Sequence, residues 1–468
     1  MATQAKVGFV SLGCPKATVD SEHIVTELQK SGYEVVASGD SEGSGDSSAD
    51  VVVVNTCGFI DAAREESFGT IDDLLEAGKK VVVTGCLGHE QTKLKERFPE
   101  LEFVSGPAVV DPVIQAVKHY EPIQKTDTNS VADARNLSAE PRTRLTPEHY
   151  AYLKISEGCN HKCSFCIIPS MRGQLRSRAL QDIVEEAHVA VAQGAKELLL
   201  IAQDLSAYGL DLKYKSAGSN GEILETNLYQ LSQALRDVAP WIRLHYVYPY
   251  PNVDRLIPLM NEGVLLPYLD MPLQHAEPRI LKSMRRPAAA EKTLERIERW
   301  RAICPDLAIR STFIVGFPGE TEDDVGTLLD FLEAAQLDRV GCFTYSAVDG
   351  AHANLLDGHL DESEKLDRQE RVYEIQAAIS QDRLSRHVGK RMRVLVDTID
   401  ESTGTAVARS QYDAPEIDGN VFITNDEANN RPANGGIITP GEFVWAEILE
   451  ADDHDLWGVL SGQEVQIR

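Results

Sequence analysis

Short apolar runs alternate with helical segments along most of the chain, and this alternation restricts the fold more than any other feature. Near the N-terminus the runs are KVGFV, YEVVA, DVVVVNT and KKVVVTG, and a helical stretch from about Val19 to Lys30 follows the first of them. Short β-branched runs that alternate with helices are typical of an open sheet of parallel strands. The pattern predicts an α/β multidomain protein whose N-terminal domain, residues 1–120, is an open parallel α/β sheet.

Three of these predicted strands end at a cysteine. The strings SLGC, NTC and TGC place Cys14, Cys57 and Cys86 directly after a strand. In sheets of this class the carboxyl ends of the strands share one edge, where ligands bind. Thiols that are far apart in sequence can therefore converge there. The alternative is that they are scattered, buried cysteines.

A second series of strands and helices follows a polar stretch, residues 121–147, which is predicted to be a linker. Residues 148–387 contain six predicted strands: YAYLKIS, ELLLIAQ, IRLHYVY, PYLDMPLQ, IRSTFIVGF and RVGCFTYSA. Six units are fewer than the eight of a closed barrel, so a partial (βα)6 TIM-like barrel is predicted. Residues 388–468 carry short alternating runs with turn residues between them, which predict a small all-β barrel.

The composition excludes several classes of protein. A formal net charge of -27 over 468 residues disfavours extended nucleic-acid binding and favours a cationic protein partner. Eight cysteines are too few for a disulfide scaffold in a chain of this length. The sequence shows neither a secretory signal nor an apolar run of membrane-spanning length. We therefore expect a soluble, cytoplasmic protein in which clustered thiols bind metal.

The string EGCNHKCSFC brings three further cysteines together just after the first predicted barrel strand. Cys159, Cys163 and Cys166 have the spacing C-x-x-x-C-x-x-C, which lets three thiolates face one point. Such a soft-ligand site suits zinc or an iron-sulfur cluster. A zinc site completed by His161 is one alternative. On a four-iron cluster, three thiolates leave one iron open for a small-molecule ligand.

EGCNHKCSFC resembles the signature of the radical S-adenosylmethionine (SAM) superfamily. The resemblance implies that Cys159, Cys163 and Cys166 hold a 4Fe-4S cluster whose open iron binds the amino and carboxylate groups of SAM. It also implies one-electron cleavage of SAM to a 5′-deoxyadenosyl radical, which removes a hydrogen atom from an unactivated carbon. Phe165 would lie near the adenine of SAM, or it packs as a core aromatic residue.

Other positions at predicted strand ends are candidates for contacts with SAM. Gln203 follows the second barrel strand, Arg310 lies within the fifth, and Gly316 follows the fifth. A glycine after a strand permits a ligand to approach the backbone closely. Structural hydrogen bonding is the alternative for Gln203 and Arg310. The glycine pair that follows the second strand in many superfamily members is absent from this sequence.

The N-terminal cysteines narrow the resemblance to the radical SAM methylthiotransferases, which combine such a domain with a radical SAM barrel and a C-terminal TRAM-like barrel. The resemblance implies that Cys14, Cys57 and Cys86 hold a second 4Fe-4S cluster. One SAM molecule would methylate a sulfur there, and a second would generate the radical. The product is a methylthio group in place of a hydrogen. The alternative from another class is an iron-sulfur carrier without catalysis.

Two branches of that family differ in substrate: one modifies a tRNA adenosine, and the other modifies an aspartate of the twelfth protein of the small ribosomal subunit. The strings TPEHYAYLKISEGC, IPSMRGQLRSR, MPLQHA and DAPEIDG resemble the ribosomal branch. Residues 388–468 carry six Lys and Arg against fifteen Asp and Glu, a formal charge of -9. An acidic module suits a basic ribosomal protein in the assembled or assembling subunit. An electron donor and a sulfur source are the other expected partners.

Overall fold

The computed structural model describes residues 5–37, 48–101, 103–122, 141–218, 220–286, 292–424 and 438–461. Most of the predicted linker, residues 123–140, lies outside the described residues.

The N-terminal module is a five-stranded parallel sheet, as the sequence predicts. The strand order is β2-β1-β3-β4-β5, and the valine-rich strand β3 is buried along its whole length. The strands are Lys6–Ser11 (β1), Glu34–Ala37 (β2), Val51–Thr56 (β3), Lys80–Gly85 (β4) and Phe103–Val104 (β5). The helices are Pro15–Lys30 (α1), Asp61–Glu76 (α2), Gln91–Arg97 (α3) and Asp111–Tyr120 (α4).

The central module is an open six-stranded parallel sheet, which confirms the predicted partial barrel. Its strands follow the order β15-β14-β13-β12-β9-β6. They are Tyr150–Lys154 (β6), Glu197–Ile201 (β9), Trp241–Leu244 (β12), Tyr268–Asp270 (β13), Ala308–Val315 (β14) and Arg339–Thr344 (β15). Two short antiparallel pairs accompany them: Ser156–Glu157 (β7) with Arg176–Ser177 (β8), and Lys215–Ala217 (β10) with Ile223–Glu225 (β11).

The predicted strand IRLHYVY ends earlier than its sequence suggests. The strand β12 stops at Leu244, and Tyr246 has a φ of 62°, which a non-glycine residue does not adopt within a strand. The aromatic residues of HYVYPY therefore belong to a loop at the carboxyl end of β12.

Helices cover the outside of the central sheet and connect its strands. They are Ile168–Arg172 (α5), Leu180–Ala192 (α6), Leu228–Ala234 (α7), Ile257–Asn261 (α8), Pro278–Ser283 (α9), Thr293–Ile303 (α10), Glu322–Ala335 (α11) and Glu362–Ser385 (α12). No helix in the described ranges is long and apolar enough to cross a membrane.

The C-terminal module is a closed five-stranded barrel with the strand order β16-β17-β18-β20-β19. Its inward residues form a separate apolar core that includes Val394, Ala408 and Ile448. The strands are Arg391–Ile399 (β16), Ala406–Ser410 (β17), Val421–Ile423 (β18), Phe443–Ala451 (β19) and Leu456–Leu460 (β20).

The outer modules contact different parts of the central sheet. The C-terminal barrel packs against first residues of the central strands, among them Trp241, Tyr268 and Ala308. The N-terminal module contacts the other end: Asp20 of α1 pairs with Lys154, the last residue of β6. The carboxyl ends of the central strands therefore face the N-terminal module.

Candidate functional site

Cys14, Cys57 and Cys86, here called the N-terminal trio, lie together at one edge of the N-terminal sheet. The neighbouring parallel strands β1, β3 and β4 precede them, and Cys14 is the residue that caps the N-terminus of α1. A Cβ added to Gly13 would lie 3.2 Å from Cys57 Cβ and 3.5 Å from its Sγ. The structure thus brings Cys57 close to the residue before Cys14, and the charges of Cys14 and Cys57 both act on Cys86.

Positive charge surrounds the N-terminal trio. Burial would raise the pKa of the Cys14 thiol, but the charges of Lys16 and Arg172 and two backbone N–H groups outweigh burial and lower that pKa. Burial raises the pKa of Cys86 to about 11, although Arg172 opposes the change. The thiols of this trio thus differ, and Cys14 is the one that its surroundings favour as a thiolate.

Arg172 comes from the barrel and reaches the N-terminal trio. Its Nη1 donates to Asp20 Oδ2 at 3.2 Å and to the Glu157 carboxylate at 3.0 Å and 3.2 Å. Its Nη2 is buried and has no well-aligned hydrogen-bond partner among the described residues, although the guanidinium interacts with the Cys86 thiol. A buried guanidinium nitrogen beside three thiols fits an anionic ligand at that point.

Cys159, Cys163 and Cys166, here called the barrel trio, lie in the loop between β7 and α5. Gly158 has a φ of +76°, and a Cβ on it would lie 2.2 Å from the carbonyl oxygen of Gln174, so glycine is required where this loop begins. Backbone N–H groups of His161 and Ile168 donate to the Sγ atoms of Cys159 and Cys166, each at 3.4 Å. Burial raises the pKa of both thiols, to about 11 for Cys159 and about 12 for Cys166.

Cys163 has side-chain partners instead. The hydroxyl of Tyr248 lies 3.6 Å from Cys163 Sγ, and Arg286 Nη1 donates to the same sulfur at 3.8 Å. Arg286 is 6% exposed and Tyr248 is 5% exposed. Each sulfur of the barrel trio thus has at least one donor, which suits the negative charge of thiolates on an iron-sulfur cluster.

The ring of His161 is engaged by other side chains. Its Nε2 lies 2.7 Å from Asp204 Oδ2, and its ring stacks on Tyr248 with centroids 4.3 Å apart. In the described part of the chain, no three His, Cys, Asp or Glu side chains are arranged to hold a single metal ion. The interactions of His161 thus favour an anchoring contact for the loop over a fourth zinc ligand.

The two trios flank one short segment, α5 and the residue before it. Cys86 of the N-terminal trio packs against Ile167 and Met171, and Ile167 directly follows Cys166 of the barrel trio. Arg172 ends the same helix. The trios are therefore neighbours on the same side of the central module.

Two of the predicted SAM contacts have side chains or surroundings suited to a ligand. Gln203 donates through Nε2 to Glu157 Oε1 at 3.0 Å, while its Oε1 is buried without a partner among the described residues. An orphaned acceptor beside the barrel trio fits a ligand donor such as an amino group or a hydroxyl. Phe165 is partly buried against a core that includes Met284 and Phe317.

The other two predicted SAM contacts have partners within the chain. Arg310 Nη1 donates to Asp270 Oδ1 at 3.1 Å, and its Nε lies 3.3 Å from Asp418 Oδ1. Gly316 has a φ of +70°, and its N–H donates to Glu320 Oε1 at 2.9 Å. Both interactions are those of a residue with a structural role.

The motif DAPEIDG connects the C-terminal barrel to the central sheet. Asp413 accepts from Arg339 at 2.8 Å, Glu416 accepts from the Tyr150 hydroxyl at 2.7 Å, and Asp418 accepts from the Tyr268 hydroxyl at 2.6 Å. Only Glu416 of these carboxylates is exposed. Part of the negative charge that suggested a protein-binding surface is therefore used inside the molecule.

Sequence reasoning missed Lys16, Arg172 and Tyr248. Lys16 follows the first cysteine by two residues, and its Nζ lies 3.3 Å from the centroid of the Tyr246 ring. Arg172 lies in IPSMRGQLRSR, and Tyr248 lies in IRLHYVY, a run whose pattern predicts a strand. Their proximity to cysteine motifs was visible, but not the direction of their side chains.

Models of three protein families match the chain. The Radical SAM superfamily matches residues 153–332, the TRAM domain matches residues 388–460, and the uncharacterized protein family UPF0004 matches residues 6–106. The first match contains the barrel trio, and the third contains the N-terminal trio.

The chain is also similar over almost its whole length to proteins named ribosomal protein uS12 methylthiotransferase RimO. It is 54% identical to that of Pseudomonas fluorescens (strain Pf0-1), with 97% of each chain covered. It is 52% identical to that of Marinobacter nauticus, covering 97% of this chain and 95% of the relative. For that of Acinetobacter baylyi the identity is 51%, covering 97% of this chain and 98% of the relative.

A solved structure shares the architecture at low sequence identity. It is that of the radical S-adenosylmethionine methyltransferase TsrM from Kitasatospora setae with cobalamin and a 4Fe-4S cluster bound. The TM-score is 0.52 at 14% identity, with 74% of this chain and 72% of that chain covered. At this identity the likeness shows the fold alone.

Proposed function

The chain belongs to the ribosomal protein uS12 methylthiotransferases, which are radical SAM enzymes, and on this premise we propose the site of its reaction and the residues that serve it. The substrate position is the β-carbon of one aspartate of uS12, the twelfth protein of the small ribosomal subunit. A hydrogen there is replaced by a methylthio group. A 4Fe-4S cluster and SAM are the cofactors, and we assign one such cluster to each trio.

The neighbouring positions of the two trios are the observation that carries this proposal. A bound pair of clusters supplies one-electron cleavage of SAM at the barrel trio and sulfur ready for transfer at the N-terminal trio. A carbon radical reacts with whatever lies beside it, so the sulfur must be held within reach. The packing of Cys86 on Ile167 and Met171 supports that requirement.

Lys16 and Arg172 serve the N-terminal trio because their positive charges stabilise negative charge on the thiolates and on a bound ligand. Both side chains are buried, and their charges act on the Cys14 thiol. Buried cations need anionic partners, and Asp20 and Glu157 neutralise Arg172 only through Nη1. Nη2, beside Cys86, is the donor that we assign to the anionic ligand at this trio.

Gln203 and Phe165 are the SAM contacts that the surroundings support best. Glu157 fixes the amide of Gln203, which leaves Oε1 to accept from SAM. Phe165 offers an apolar face beside the barrel trio. Arg310 and Gly316 are left out of this set because the carboxylates of Asp270, Asp418 and Glu320 already bind them.

An assay on two substrates tests the proposal. The anaerobically reconstituted enzyme is incubated with SAM, a reductant and sulfide, once with small ribosomal subunits and once with tRNA. We expect uS12 to gain the mass of a methylthio group in place of hydrogen, and tRNA to remain unchanged. A gain on tRNA alone would overturn the substrate assignment, and failure to form 5′-deoxyadenosine would favour an iron-sulfur carrier.

A further inference from the structure

Three stacked side chains connect the loop of the barrel trio to the central sheet. The rings of His161 and Tyr248 are nearly parallel, at 13°, with centroids 4.3 Å apart. The guanidinium carbon of Arg286 lies 3.6 Å from the centroid of the Tyr248 ring. Two groups this close cannot share one face of the ring, so Tyr248 is held between them.

Hydrogen bonds fix both outer members of this stack. His161 Nε2 lies 2.7 Å from Asp204 Oδ2, and Arg286 Nη2 donates to the carbonyl oxygen of Pro272 at 2.6 Å. Tyr250 continues the aromatic series, with its ring centroid 5.1 Å from that of Tyr248. The ring of Tyr248 therefore has little freedom, and the direction of its hydroxyl is set by the stack.

The stack places two donors beside the sulfur of Cys163. The hydroxyl of Tyr248 lies 3.6 Å from Cys163 Sγ, and Arg286 Nη1 lies 3.8 Å from it. The sulfurs of Cys159 and Cys166 have backbone N–H donors at 3.4 Å. Cys163 is thus distinguished within the barrel trio by two side-chain donors, the Tyr248 hydroxyl and the Arg286 guanidinium.

We propose that Tyr248 and Arg286 are positioning residues that set the reduction potential of the cluster on the barrel trio through Cys163. The inference rests on the proposed function, since it requires a cluster at that trio. Hydrogen bonds and positive charge at a ligating sulfur stabilise the reduced, more negative cluster. Both residues therefore raise the potential and make it easier for an external donor to deliver the electron.

The test is a redox titration of the barrel cluster followed by electron paramagnetic resonance. The full-length chain carries Cys14→Ala, Cys57→Ala and Cys86→Ala, so that only the barrel cluster contributes to the signal. In this background, Tyr248→Phe removes the hydroxyl and keeps the ring, and Arg286→Gln removes the charge. We expect both variants to have a more negative midpoint potential, with the larger shift in Arg286→Gln.

Tyr250→Phe is the matched control. Its hydroxyl lies 3.4 Å from His161 Nδ1 in the same stack, so its loss perturbs the stack without removing a donor to Cys163. We expect an unchanged potential. Equal potentials for Tyr248→Phe, Tyr250→Phe and the unsubstituted background, all with full iron content, would overturn the inference. Absence of any cluster in the background would instead count against the proposed function.

If Tyr248→Phe fails to retain iron, its iron content is compared with that of Tyr250→Phe. Retention of iron by Tyr250→Phe in the same preparation would then support a direct role of the Tyr248 hydroxyl. Equal loss of iron from both variants would assign the stack a purely structural role and overturn the inference.

Discussion

At the scale of single residues, Arg172 joins the two trios. It follows the barrel trio in sequence, contacts Asp20 of the N-terminal module, and acts electrostatically on Cys14 and Cys86. The interaction crosses the boundary between two modules, so neither module alone contains the whole site.

Substituting Arg172 should therefore affect the N-terminal trio more than the barrel trio. Arg172→Gln leaves the carboxylates of Asp20 and Glu157 with Lys154 as their shared partner. We expect the free energy of unfolding to fall by about 3–5 kcal/mol, as for other buried ion pairs that lose one partner. Urea unfolding measures this loss of stability. An iron count measures the accompanying loss of the cluster that we assign to the N-terminal trio.

Arg236→Gln is the control for that substitution, since Arg236 forms an exposed pair with Glu262. An exposed pair contributes little, on the order of 0.5 kcal/mol. A loss of iron from both variants, or from neither, would contradict the role given to Arg172.

Gly158 offers a second test at the same scale. An alanine there meets both a left-handed φ of +76° and the carbonyl oxygen of Gln174, whereas Gly263 has a φ of +75° with nothing within 4 Å of an added Cβ. We expect Gly263→Ala to lower the free energy of unfolding by about 1–2 kcal/mol, from backbone strain alone. Gly158→Ala should lose more and should bind less iron at the barrel trio. Equal losses in urea unfolding would show that close packing at Gly158 has no effect.

The sequence indicates which thiols are candidate ligands, but it does not indicate the residues around them. Candidate ligand thiols can be recognised from their residue type and spacing, and the predicted strand ends indicate where they converge. The side chains that act on those thiols, Arg172, Tyr248 and Arg286, are of common residue types. Their roles depend on side-chain direction, which Tyr248 owes to a ring stack and not to any local pattern.

At the scale of elements, helix α1 fastens the N-terminal module to the central sheet. Arg142 lies between Glu22 of α1 and Glu186 of α6, donating to both carboxylates. His23 of α1 faces the same cluster. Burial, with Arg142 next in effect, lowers the pKa of His23 to about 3, and its Nε2 is buried without a partner among the described residues.

The burial of His23 beside Arg142 predicts a loss of folding stability in mildly acidic solution. The pKa of His23 is lower in the folded state, about 3, than its ordinary value of 6.5, so the unfolded chain binds the proton first. Stability is thus fully present above pH 6.5 and declines as the pH falls from about 6.5 towards 3. Arg142, Lys154 and Arg178 disfavour the charged ring, while Glu186 favours it.

His23→Gln should reduce that pH dependence. We expect the thermal midpoint of the variant to fall less than that of the wild type between pH 7 and pH 4.5. Glu186, whose pKa is lowered to about 2, loses its contribution only below about pH 4.5, so the two windows are separable. Parallel curves for the two proteins down to pH 4.5 would contradict the assignment.

Most helices and strands could be predicted, but not all of their ends. Valine-rich β3 and the alternating strands of the C-terminal barrel follow their patterns closely. Helix α1 begins at Pro15, before the predicted Val19, because proline is tolerated in the first turn. The strand β12 ends at Leu244 because Tyr246 turns the chain out of the sheet.

At the scale of the whole molecule, the outer modules attach at opposite ends of the central strands. The C-terminal barrel is fixed at the amino ends by a buried ion pair between Arg409 of β17 and Glu197, the first residue of β9. Residues so distant in sequence carry no periodic signal of their pairing. The placement of the modules was therefore beyond sequence reasoning, although each module was predicted.

Some carboxylates of the C-terminal barrel are exposed, and these are the ones that a basic protein partner could contact. Glu447 and Glu450 lie exposed on β19, unlike Asp413 and Asp418 of DAPEIDG. We expect the double substitution Glu447→Lys and Glu450→Lys to weaken binding to small subunits severalfold at low salt, and less at high salt. Sedimentation with small subunits measures the change.

The matched control reverses the same amount of charge elsewhere. The control is the double substitution Glu370→Lys and Glu374→Lys. Both glutamates are exposed on α12, outside the C-terminal barrel. If this pair weakens sedimentation as much as the β19 pair, only net charge matters, and the C-terminal barrel has no specific docking role.

The central claim, that each trio holds its own 4Fe-4S cluster, is tested most directly by an anaerobic count of iron and sulfide. The wild type, Cys14→Ala and Cys159→Ala are compared as full-length chains. We predict about eight irons for the wild type and about four for each variant, from the four-iron stoichiometry of such clusters. About four irons in the wild type, or no loss in Cys14→Ala, would contradict the account.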